Sequence, residues 1–150
     1  MKDVVRTPKG VLNIKLFDAD GNVIQESEEH NLIVNSGIAL MAGLLDGSQT
    51  AYINAIAIGT GTTAPATSQT SLVTEVMRVA SSNSLTTTSV TNDTAQFVST
   101  FSFSSSYAIT EAGLFNSTTA SSGTMLSRVE FSAYNVVSGN SMQITYTVQF

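Results

Sequence analysis

The last nine residues alternate without a break. Met142, Ile144, Tyr146, Val148 and Phe150 fall on one side of an extended chain, and Gln143, Thr145, Thr147 and Gln149 on the other. A period of two marks a strand with one face on a core and one toward water. Residues 11–17 (VLNIKLF) repeat the pattern, with Leu12, Ile14 and Leu16 on one face. They run into DADGN, and a second extended run covers 23–29, so Asp20-Gly21 predicts a hairpin turn. Gly tolerates the positive φ that such turns demand. Further strands are expected over 51–58, 84–91, 94–104, 108–115 and 125–131, with Phe97, Phe101 and Phe103 sharing a face that also holds Ser99.

One stretch breaks this rhythm. In NLIVNSGIALMAGLLDG, Ile38, Met41, Ala42 and Leu45 recur at helical spacing, with Leu40 and Leu44 beside them. Asn35 or Ser36 is placed to cap the start, and Gly47 to end it. The spacing predicts a helix over 36–46 that is apolar on most sides and therefore well buried. Residues 68–78 (SQTSLVTEVMR) read either as a short helix or as an extended segment. Many short strands and one buried helix predict a mainly β protein, a β-sandwich or jelly-roll-like single domain over 11–150 behind an N-terminal arm, 1–10.

Composition sharpens this picture. The chain has 150 residues, enough for one real core. Only 11% are charged, against about 25% in ordinary domains; Ser and Thr supply the remaining polarity. Hydroxyls cost less to desolvate than charges, so such a surface is easily covered by another protein. The net charge of −5 divides unevenly: residues 1–15 carry +3, leaving −8 for the rest. No basic stripe suits a phosphate backbone, so nucleic acid is not expected as a partner. Lys2, Arg6, Lys9 and Lys15 make the arm a candidate for docking on an acidic partner, or simply a solvated terminus. Without cysteine there is no disulfide, thiolate nucleophile or Cys-based zinc site. No apolar run is long enough to cross a membrane, and MKDVVRTPKG lacks the apolar centre of a signal peptide.

Four stretches suggest chemistry. In AIAIGTGTTAPAT an apolar run enters Gly59-Thr60-Gly61, which resembles a phosphate cradle, with Ala64 where a dinucleotide fingerprint allows Gly or Ala. No helical start follows, no acidic residue stands at the distance expected for a ribose contact, and no Lys follows the glycines. A tight turn after a buried strand is the expectation. Asp18, Asp20 and Asn22 occupy the first three liganding positions of a calcium loop, and Glu29 the twelfth, but the sixth is Val23 where a sharp bend needs Gly. A hairpin is expected and no metal. His30 is the only histidine, and no nucleophile elbow accompanies it. Glu111, inside ITEAGLF, could be a catalytic acid if Glu130 shared a cleft with it. The simpler expectation is a carboxylate that accepts hydrogen bonds from backbone donors or Arg128 at a strand end. No catalytic residue, cofactor or metal is assigned.

Three stretches, taken in order, carry a resemblance: NLIVNSGIALMAGLL, INAIAIGTGTTAPATSQTSL and ITEAGLF, followed by the alternating C-terminal strand. Together, over roughly 30–150, they resemble small structural proteins of tailed bacteriophages. That group includes head decoration (cement) proteins and modules of tail or neck fibres. The resemblance implies a non-enzymatic virion subunit, often a homotrimer, assembled in the bacterial host cytoplasm. Its partners would be the major capsid protein or other virion subunits, and for a fibre module a host receptor or glycan. It brings no catalytic residue with it.

Overall fold

The clean alternation at the C-terminus belongs to a central strand. The computed structural model describes residues 7–150; Lys2 and Arg6 lie outside them. β10 (Ser141–Gln149) sits in the middle of a five-stranded antiparallel sheet. Its neighbours are β1 (Lys9–Phe17) and β7 (Thr94–Ser102), with β2 (Val23–His30) and β6 (Ser82–Thr86) at the edges. The register is unbroken from Lys9↔Gln149 to Phe17↔Ser141, so the apolar faces of β1 and β10 coincide. The second sheet has the order β3 (Leu32–Ile33), β9 (Met125–Val136), β8 (Tyr107–Phe115), β4 (Ala55–Gly59), β5 (Glu75–Ala80).

The two sheets are joined at both sides by the chain itself. Only Asn31 separates β2 from β3, and only Ser81 separates β5 from β6; each pair lies on the edges of different sheets. Corners of this kind let an edge strand continue into the facing sheet. The resulting β-sandwich buries Leu12, Ile14 and Phe101 of the first sheet against Ile56, Leu114 and Val129 of the second. Each such side chain contributes about 1.5–3 kcal/mol. A polar bridge crosses this core. The Tyr146 hydroxyl shares a 2.7 Å hydrogen bond with Ser127 and accepts one of 2.8 Å from the Asn31 amide. Burial pushes the ionisation of Tyr146 well above the usual tyrosine range.

The predicted strands are present, with shifted ends. The strand expected over 51–58 is Ala55–Gly59, and the one expected over 84–91 is Ser82–Thr86. The shortening at 87–93 has a local cause: the Asp93 carboxylate accepts from the Thr88, Ser89 and Val90 amides and turns the chain. Residues 68–78 are extended or irregular, ending in β5. β1 begins at Lys9, so Lys9 and Lys15 lie in the sheet, exposed, and not on a detached arm.

The helix, α1 (Asn35–Asp46), has the expected span and ends at Gly47 in the left-handed region, φ +80°. Two expectations need correction. Val34 occupies the cap position with no side-chain cap; the Ser36 hydroxyl donates to the Met125 carbonyl, and the Asn35 amide donates to the Thr67 carbonyl. Nor is the helix well buried. It packs on β9 closely enough that a Cβ on Gly37 would collide with the Leu126 backbone. Only Gly37, Leu40 and Gly43 are buried, while Ile38 is 54% and Leu45 91% exposed. One face of a cylinder meets the sandwich, and the apolar residues on the other face meet water.

Candidate functional site: a buried carboxylate under the glycine-rich loop

β4 reads A-I-A-I-G. Its isoleucines enter the main core, whereas Ala57 packs on the opposite face with Leu72, Phe115 and Met125. Across that outer face the register lines up Arg78, Ala57, Gly113 and Arg128 in one row, and Glu75, Gly59 and Glu111 in the next. Small residues therefore make a shallow lane with an Arg and a Glu on each side. Residues 60–74, which hold the glycine-rich turn, lie over this lane and bring Leu72 into it.

Glu111 holds the loop down. It has no solvent exposure, and neither does Arg128. Glu111 Oε1 accepts from the Gly61 amide at 3.0 Å and the Thr74 amide at 2.7 Å. Oε2 accepts from the Val73 amide at 3.0 Å and from Arg128 Nε at 2.9 Å, and Arg128 Nη2 completes the ion pair at 2.9 Å. Arg128 Nη1 reaches further, to the Thr63 carbonyl at 2.8 Å and Gln69 Oε1 at 3.2 Å. The Thr110 hydroxyl donates to the Gly61 carbonyl at 2.8 Å, and the Thr60 amide to the Thr74 carbonyl at 3.0 Å. A buried charge survives only when paired and hydrogen-bonded, and this one is both.

The glycines now have a reason. A Cβ on Gly59 would run into the Thr74 carbonyl, and one on Gly61 would stand 2.5 Å from Val73 Cβ and 2.6 Å from Glu111 Oε1. The turn is glycine-rich because the returning chain and a carboxylate press against it. It does cradle an anion through backbone amides, and that anion is the protein's own.

The second ion pair on this face holds another loop. Arg78 grips Glu75 through Nε at 2.9 Å and Nη2 at 2.8 Å, stacks 3.8 Å over the Phe115 ring, and donates through Nη1 to the Ser117 and Ser122 carbonyls. It ties the β8–β9 connection to the sheet. Sequence reading did not single out this pair, although Glu75 and Arg78 are three residues apart.

The remaining candidates fall elsewhere. Glu130 faces Glu111 across the β8–β9 register; since no solvent reaches Glu111, no cleft opens to both. Asp18, Asp20 and Asn22 form the β1–β2 turn, with Gly21 at φ +84°. Asp18 Oδ1 accepts from the Asp20 and Asn22 amides, both at 2.9 Å. Those bonds, led by that of Asn22, hold the Asp18 carboxyl below the usual range. Glu29 lies along β2 beside Leu12, on an extended line and not around a centre. Among the described residues no three His, Cys, Asp or Glu groups come together as a metal site. His30 is exposed at the end of β2. Among the described residues no helix is long and apolar enough to cross a membrane. No family model, curated protein or solved structure matches this chain.

Proposed function

We propose that the chain is a non-enzymatic structural subunit of a bacteriophage virion, a head decoration (cement) protein that stabilises the capsid through contacts with the major capsid protein or other virion subunits. The observation that supports this reading is the fate of Glu111. Among the described residues, the one fully buried carboxylate has both oxygens committed to three backbone amides and an arginine. It has no exposed edge to offer a substrate. A sandwich closed at both sides by Asn31 and Ser81, with a charge-poor Ser/Thr surface, is suited to large contacts that strand few ions.

A second reading is a tail-fibre or neck module that binds a host receptor or glycan. It is favoured by the 87–93 turn, which the Asp93 carboxylate shapes through the Thr88, Ser89 and Val90 amides and which leaves Thr87, Thr88 and Ser89 exposed. Imaging purified particles that contain the protein separates the two. Density spread over the head lattice supports decoration, and density confined to the neck or tail supports the second reading. Absence from the particle overturns both.

A further inference from the structure

α1 carries two apolar stripes. Gly37, Leu40 and Gly43 face the sandwich; Ile38, Ala42 and Leu45, spaced i, i+4, i+7, face outward. Between Asn35 and Asp46 the helix holds no ionisable residue, where a solvated face would carry charge. Met41 and Leu44 floor a shallow groove of about 640 Å³ beside the outer stripe, flanked by Pro8 and Phe150. Soluble monomers rarely leave a contiguous apolar face of this kind uncovered.

We propose that the occupant is α1 of a second copy, packed antiparallel across a two-fold axis near Ala42. Three observations select it. The i, i+4, i+7 spacing is the one that two helices share along a seam. Ala42 lies at the centre with exposed Ala39 beside it, so the two backbones can approach closely. The ends of the groove also differ in charge: Lys9 borders a cavity with Ile38 at one end, and Asp46 closes the helix at the other. Antiparallel pairing sets Lys9 of one copy near Asp46 of the other and opposes the two helix dipoles. Ile38 and Leu45 are about 10 Å apart along the axis, so each meets the other's counterpart. A three-fold arrangement, as the phage resemblance implies, would instead gather like charges at each end. This inference stands on the surface alone, and its failure leaves the virion reading to the particle images.

The test is sedimentation of the full chain over a wide concentration range, with charge-swap variants and cysteine crosslinking beside it. Wild type is expected to dimerise. Leu45→Asp is expected to weaken the dimer at least about tenfold, while at concentrations below those of self-association its melting curve stays that of wild type, because Leu45 is 91% exposed in the single chain. Lys9→Glu and Asp46→Lys should each weaken it, and the double swap should recover it. The chain has no native cysteine, so Ala42→Cys should give a disulfide-linked dimer on oxidation. A monomer at every concentration would overturn the proposal, as would indifference to Leu45→Asp, a trimer whose Ile38→Cys variant crosslinks to itself, or vesicle binding in place of dimerisation.

Discussion

Glu111 and Leu45 stand in each other's customary places. The acid is sealed from water, and the leucine is 91% exposed. The chain uses the two side chains in opposite ways. At Glu111 every lone pair is met from within, by residues 61, 73 and 74 and by Arg128, so the charge is used to fasten a loop. At Leu45 the side chain is left exposed by the described residues, and this apolar surface is the one proposed to meet a second copy. The bound carboxylate supports the fold, and the bare helix face is the surface proposed for association.

The sharpest way to break the comparison is to remove the acid. Glu111→Ala leaves Arg128 buried without its partner and should cost about 3–5 kcal/mol in urea unfolding. Replacing both members, Glu111→Leu with Arg128→Met, should restore part of that loss, because no charge is then left uncompensated while the Gly61, Val73 and Thr74 amides still lack their acceptor. A Glu111→Ala variant as stable as wild type would mean that the Glu111–Arg128 pair does not fasten the loop.

Part of this pair was legible beforehand. A Glu inside an apolar strand, with Arg128 on a neighbouring strand, already suggests a hydrogen-bonded role. The amides that complete it could not be read, since Gly61, Val73 and Thr74 are 37–50 residues away and no local pattern assigns them. The strands were legible because period two survives wherever one face is buried. The helix was legible in its span but not in its burial. An apolar helix has the same sequence whether its own sandwich covers it or another chain does. The cap was misread because Ser36 finds its acceptor in Met125, a tertiary partner 89 residues on.

Smaller perturbations sharpen the contrast. Gly61→Ala pushes a methyl into Val73 and Glu111 and should cost about 1–3 kcal/mol, with the loop and not the sandwich losing amide protection. Tyr146→Phe removes the bridge to Ser127 and Asn31 and should cost about 1 kcal/mol. That tyrosine also carries a pH signature. Its folded-state ionisation is raised by burial, so its contribution is complete below the ordinary tyrosine value of about 10 and is lost as pH rises beyond it. Alkaline unfolding of Tyr146→Phe should lack this component. Leu45→Asp is expected to have the smallest effect on the monomer, within about 0.5 kcal/mol, measured at concentrations below those of self-association.

The most direct test is amide hydrogen exchange at Gly61, Val73 and Thr74. If Glu111 is the anion in the glycine cradle, these three amides exchange as slowly in wild type as the central strands. In Glu111→Gln they lose protection while β1 and β10 keep theirs, and inorganic phosphate does not perturb them in wild type. Fast exchange at these sites in wild type, or a shift of their resonances when phosphate is added, would mean that the cradle is open to an outside ligand.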